Sequence, residues 1–401
     1  MSAECGVRIV EFGAGLLTPP KGPTEGLLPM QLLVAGNLTH LARAALTMLA
    51  TALALLSGTN QATAAEPSYR GALVTAEMVT DQRLEALRRD YDSIVLAVSK
   101  SDEASRAADK GAAAAIAKSG LDLHYWIEVG RCQELADAHS RWMASLQGHP
   151  EWRRFHKDFP QPKADEVVKC YPWVPVFYQE AYDAHLARIE KLLADLPPAR
   201  SLFLNDLQAA PSACGCGNPV CRWTTDYGPI VTATKLGDDA AAKFVAAVRK
   251  VVPAKTAVVP VWTTECEEHD KENDALCAGV GCYKGTCWKE YSKQLMPVAD
   301  DSPTLAVLLA YKEFGQDGPH YSQPAGWIRH ALVHGFAEQP ARNKGRKIEA
   351  SRLIAVLQGW DVTDREIAAQ IEQAKSAGAA GYLVALAKID QSWKPKMVKW
   401  K

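Results

Sequence analysis

Ser201–Arg222 reads SLFLNDLQAAPSACGCGNPVCR. Its first five residues, Ser201–Asn205, form an apolar run too short for a helix, with Pro197 and Pro198 just ahead of it. Such a run predicts a buried strand. An acid, Asp206, follows the run, and a turn-rich loop then carries Cys214, Cys216 and Cys221. An acid at the carboxyl end of a buried strand, beside a cysteine-bearing loop, fits the mouth of an α/β enzyme. A solvated acid at a strand end fits that stretch equally well, so the other strands must decide.

Apolar runs of the same kind recur at 71–77, 93–99, 121–128, 257–265, 304–311, 353–360 and 381–387. Helix-like segments separate nearly all of them. One presents Leu84, Leu87 and Tyr91 on one face; others span 104–118, 238–251 and 364–377, the last stopping at Gly378. A longer helical insertion, 132–196, follows the third strand and is broken near Pro150, Pro160 and Pro172. Strands alternating with helices predict a parallel sheet, and eight strands close a (β/α)8 TIM barrel. An open doubly wound sheet would also alternate, but Met78-Val-Thr-Asp-Gln follows the first strand where a glycine-rich phosphate loop would stand. Pro260 lacks a ladder donor, so a bulge or interrupted pairing is expected in the fifth strand. The expected fold is thus α/β: a (β/α)8 barrel with a helical insertion after strand three and cysteine-rich loops after strands four and five.

Residues 1–65 read as an N-terminal extension and signal peptide, and 66–401 as a single barrel domain. Met48–Leu56 is apolar, Arg43 and His40 lie upstream, and Ala62–Ala65 supply small residues for cleavage before Glu66. The apolar stretch is too short for a membrane span. Export to the periplasm or the extracellular space is expected, with no membrane span after cleavage. Residues 1–29 precede a second methionine, Met30, and read as an over-called start codon. The net charge of −1 gives no general attraction for nucleic acid. The basic stretch 394–401 reads as a solvated tail.

In a barrel the strand ends gather in one bowl, so the acids there matter together: Glu77, Glu128, Asp206, Glu265, Asp361 and Asp390. Any one of them alone reads as a salt-bridge partner. Burying several carboxylates is costly unless they are paired or protonated. Two carboxylates flanking a bond are what glycoside hydrolysis requires. Trp126, Trp262, Trp360 and Tyr311 lie near the same ends, where flat rings could stack on sugar faces or fill the core. His124 reads as a substrate contact or a satisfied core histidine. His330 and His334 are one helical turn apart, but Ala331 stands where a zinc protease needs Glu, so they read as surface or cap histidines.

Nine of the ten cysteines follow the cleavage site, and export makes disulfides the default. Cys214, Cys216 and Cys221 can meet Cys266, Cys277, Cys282 and Cys287 across adjacent loops. Disulfide staples are the first reading and a thiolate-bound zinc or iron–sulfur centre the second, since two C-x2-C pairs are lacking. No P-loop, G-x-S-x-G elbow or haem motif occurs, and no cofactor is implied.

Cys170-Tyr-Pro-Trp, Tyr178-Gln-Glu-Ala-Tyr, SLFLNDLQ and the CGCGNPVC loop together resemble secreted glycoside-hydrolase-like barrels. LIAVLQGWD and DREIAAQIEQAKSAGAAGYLVAL are similar to the last two units of those barrels. The resemblance implies a (β/α)8 fold and a carbohydrate partner. A looser likeness is to the α-amylase superfamily, which by strand position implies Asp206 as nucleophile, Glu265 as acid/base and Asp361 as stabiliser of the transition state. Leu204 stands where that superfamily has Arg, and Gly-Trp-Asp where it has Asn-His-Asp. The expected function is cleavage of a polysaccharide by a carboxylate pair; a non-catalytic carbohydrate- or cell-wall-binding barrel and a cysteine-ligated metal or redox protein are the alternatives.

Overall fold

The computed structural model describes residues 68–142, 160, 163, 166–169, 174–207, 236–237, 239–263, 296–312, 323–338, 346–388 and 396–399. Ten strands occur among them: β1 Tyr69–Val74, β2 Ser93–Ala97, β3 Asp122–Glu128, β4 Glu166–Lys169, β5 Ser201–Asn205, β6 Ala257–Thr263, β7 Leu305–Leu309, β8 Leu353–Gln358, β9 Gly381–Ala385 and β10 Lys396–Lys399. Eight of them close a barrel in the order β1-β2-β3-β5-β6-β7-β8-β9, with every neighbouring pair parallel. The fold is the (β/α)8 barrel the alternation predicts. Where the predicted runs differ from the strands, they mostly overshoot at the carboxyl end. Ladder pairing stops there while the chain stays apolar, which leaves Glu77, Tyr311 and Trp360 beyond their strands.

Three of the helices open on a side-chain cap. Helix α1, Asp81–Leu87, begins where Thr80 accepts from Arg83 N and buries Leu84 and Leu87. Helix α2, Glu103–Ser119, starts at Asp102, which accepts from Ser105 N, and stops at Gly120 in the left-handed region. After β3 come the short α3, Gln133–Ala138, and α4, Gln179–Leu193; α5, Ala240–Val251, precedes β6. Helix α6, Gly326–His330, runs into a π-helical stretch, Ala331–Glu338. Helix α7, Asp364–Ser376, opens on a capping box made by Thr363 and Glu366.

Two expectations are corrected. The insertion after β3 is not wholly helical, because it contains β4. The basic stretch is not a solvated tail, because its residues 396–399 are β10, paired antiparallel with β4 from Lys396↔Lys169 to Lys399↔Glu166. Val167-Val168 and Met397-Val398 form strands readily, which outweighs the lysines around them. Pro260 is accommodated at a ladder end: Leu204↔Pro260 is the last pair toward β5, and pairing toward β7 starts at Val261. The cysteine-rich loops predicted after the fourth and fifth barrel strands, and the signal peptide, lie outside the described residues. No described helix is long and apolar enough to cross a membrane.

Register divides each strand between two faces. His124, Trp126 and Glu128 share the inner face of β3 with Ser201, Phe203 and Asn205 of β5. Trp126 stacks on Phe203 with centroids 6.1 Å apart. Near the amino-terminal end, His124 Nδ1 meets Ser201 Oγ at 2.5 Å, and its ring lies edge-on to Tyr69. A second buried histidine, His185 on α4, bonds the carbonyl of Val174 through Nε2.

Burial pushes both imidazoles down, His124 to about 4 and His185 to about 3. Below pH 6.5 the unfolded chain takes up protons that the folded one refuses, so these two sites cost stability as the pH falls from 6.5 toward 3–4. The penalty grows by about 1.4 kcal/mol per pH unit and histidine. Glu128 and Asp109, whose carboxyls are pushed up by burial, act in the opposite sense, so the effect is read by comparing variants. His185→Gln keeps a donor for Val174 and should lose less stability than the wild type between pH 6.5 and 4 in urea titrations. An equal loss would refute the assignment.

Candidate active site at the barrel mouth

The carboxyl ends of β1, β2, β3 and β9 surround a cleft of about 720 Å³. That volume is within the range of small-ligand sites. Five acids line it: Glu77, Asp102, Glu128, Glu134 and Asp137. Three of these are occupied by structural bonds. Asp102 caps α2 through Ser105. Glu134 accepts from Ser101 and Arg188. Asp137 accepts from Gln133 Nε2 at 2.9 Å. Glu77 is exposed, on the turn after β1, and makes no ion pair or hydrogen bond among the described residues.

Glu128, the last residue of β3, is half-buried. Trp126 Nε1 donates to its Oε1 at 2.7 Å, and Asn205 Nδ2 donates to its Oε2 at 2.8 Å. Burial, and next the charge of nearby Asp206, push its carboxyl up to about 7; Arg131 and the two hydrogen bonds pull the other way. A carboxyl that holds its proton near neutrality inside a cleft can deliver that proton to a leaving group.

Asp206 follows β5 directly. Its backbone is left-handed, φ 58°, a conformation aspartate tolerates better than most residues. Its side chain has no exposed surface, and Arg131 Nη2 contacts Oδ2 at 2.9 Å. Asp361, just past β8, is also left-handed at φ 54°, but its side chain is 77% exposed and lies 3.7 Å from Lys388 Nζ. The structure therefore brings Glu77 and Glu128 into one cleft and sets Asp206 beside Glu128. Glu265 and Asp390 lie outside the described residues, as do Cys214, Cys216, Cys221, Cys266, Cys277, Cys282 and Cys287. Cys132, at the start of α3, is a buried free thiol that lines the cleft. Among the described residues no cluster of three metal-ligating side chains occurs.

Of the four aromatics, Trp126 lines the cleft. Trp126 is 1% exposed and serves Glu128 as a donor. Trp262 is fully buried, on the strand face that register shares with Leu204, away from the barrel interior. Tyr311 and Trp360 are buried beyond β7 and β8 and do not line the cleft. His124 sits four residues below Glu128 on the same strand face, about 13 Å down the barrel, and is a core histidine by position. His330 and His334 are half-buried rather than surface groups, their rings 4.9 Å apart.

Sequence reading assigns no role to Arg131, Asn205 or Arg188. Arg188, on α4, donates to the carbonyls of Glu128 at 3.1 Å and Ser99 at 2.5 Å, which ties the end of β3 to the loop after β2. The signal for Asn205 and Arg131 was closeness in sequence to the two acids.

No protein-family model and no curated protein matches the chain. Solved structures similar to it include a beta-glucosidase, at 11% identity over 77% of each chain with a TM-score of 0.39. A beta-galactosidase from the psychrophilic Marinomonas ef1 is 10% identical over 80% of this chain and 55% of its own, at a TM-score of 0.44. A Streptomyces cattleya GH5_18 protein, solved in complex with GlcNAc, is 11% identical over 79% of this chain and 70% of its own, at 0.39. The likeness is one of fold. The chemistry has to be argued from this chain's own residues.

Proposed function

We propose that the chain is an exported glycoside hydrolase acting on a polysaccharide, with Glu128 as proton donor. The reading is carried by Glu128: a carboxyl held by two donors, raised to about 7, in a cleft at the carboxyl end of the barrel. Glycosidic oxygen is a poor leaving group until it is protonated, and a raised carboxyl supplies that proton. Glu77 is the cleft's structurally uncommitted acid, and we assign it the second role, attack on the sugar carbon or activation of water. Asp206 is fully covered and bound to Arg131, which suits a fixed charge better than a nucleophile.

The test is product analysis on a panel of polysaccharides and aryl glycosides. Release of reducing ends is expected, with Glu77→Gln strongly impaired. Loss of turnover in Glu265→Gln with retention in Glu77→Gln would instead support the strand-position assignment. Binding of a glycan with no cleavage would reduce the barrel to a lectin-like role.

A further inference from the structure

Helix α3 forms part of the cleft wall, where Gln133, Glu134 and Asp137 line it. Just beyond that helix, in the 3-10 turn Ser140–Trp142, the indole of Trp142 is half-buried. It packs against a cluster of Cys132, Leu135, Ala136, Val174 and Ala181, and Cys132 of that cluster also lines the cleft. Its Nε1 donates to Glu180 Oε2, on α4, at 3.2 Å. Packing and a hydrogen bond therefore fix the indole in place. His139 lies flat on it, with ring centroids 3.9 Å apart and planes 17° from parallel. The His139 ring is exposed and makes no hydrogen bond or ion pair among the described residues. Stacking is what holds it there, and a single ring contact is weak. A fixed plate thus carries a loosely held cover.

We infer that Trp142 is a sugar-stacking subsite outside the cleft, and that His139 occupies its face until a sugar of the polymer displaces it. The inference rests on the polysaccharide reading above. A pyranose ring presents an apolar C–H face, which can take the flat, close contact that the imidazole now makes. Its hydroxyls need acceptors at the edge of the plate. Glu180 is exposed, and a carboxylate that accepts one hydrogen bond from Trp142 keeps capacity for more. A flat ring with a carboxylate at its rim suits an occupant that is apolar on its face and hydroxylated around its edge. The plate and the cleft share α3 and one apolar cluster, so a chain of sugars can lie across both, while a short glycoside fills the cleft alone.

The test is calorimetric titration of the full chain with soluble hexasaccharides of the cello, chito, xylo and manno series, with product analysis alongside. Trp142→Ala should weaken binding of the preferred hexasaccharide by about tenfold or more. The loss should be smaller for the matching disaccharide. His139→Ala clears the indole and should tighten hexasaccharide binding about two- to tenfold, the worth of one ring contact. A Trp142 that served packing alone would give no such gain. If Trp142→Ala does not fold, His139→Ala carries the test, since the ring it removes is exposed. Failure of either shift in a folded variant overturns the inference, and continued cleavage would then leave the hydrolase reading standing. Both shifts in a protein that cleaves no glycan uphold the subsite and overturn the hydrolase. A wild type that binds none of these sugars overturns both.

Discussion

Glu128→Gln should lower turnover on a cleaved glycan by about 10²–10⁴-fold, the usual contribution of a general acid. The fold should survive. Glutamine keeps an acceptor oxygen for Trp126 Nε1, and the Asn205 amide can turn its oxygen toward the new NH2 group. The wild-type profile should carry an alkaline limb near pH 7, where Glu128 gives up its proton, and the variant's residual activity should lack it. Substrates with good leaving groups, such as nitrophenyl glycosides, need less protonation and should be less affected. A folded Glu128→Gln protein with unchanged turnover would remove Glu128 from the mechanism.

Gly381→Ala should destabilise the barrel by several kcal/mol, on the scale of backbone clashes that cannot relax. Gly381 begins β9 and pairs with Tyr69 at the seam where the last barrel strand meets the first. A Cβ there would lie 2.6 Å from Tyr69 Cβ and closer still to the Tyr69 carbonyl oxygen. No rotamer change relieves a collision with backbone, so the β1–β9 ladder would have to open. Gly378→Ala is a useful contrast. Its φ is +74°, but a Cβ there meets nothing within 4 Å, so only backbone strain of about 1 kcal/mol is expected. Equal urea midpoints for the two variants would refute the seam argument.

The barrel was legible because each strand is an apolar run whose length and flanks exclude a helix, and the inner-face acids fell at its ends by counting. Boundaries near the mouth were less legible, since burial continues after pairing stops; Glu77 and Trp360 were thus drawn onto strands they follow. The β4–β10 pair was hidden because a four-residue strand amid lysines carries no periodic signal. At the site, sequence could place Glu128 and Asp206 at neighbouring strand ends, but not decide which would be covered. That depended on Arg131, three residues past β3, folding back to Asp206. Trp262 shows a related limit: strand position puts a tryptophan near the mouth, and only register says which side of the wall it faces.

The small antiparallel ribbon has a bearing on biosynthesis. β4 is made early, yet its hydrogen-bonding partner is the segment Lys396–Lys399. Residues 166–169 must therefore wait until all eight barrel strands have been made. Their capture is an event of late assembly, and until then a short unsatisfied edge is open to passing chaperones.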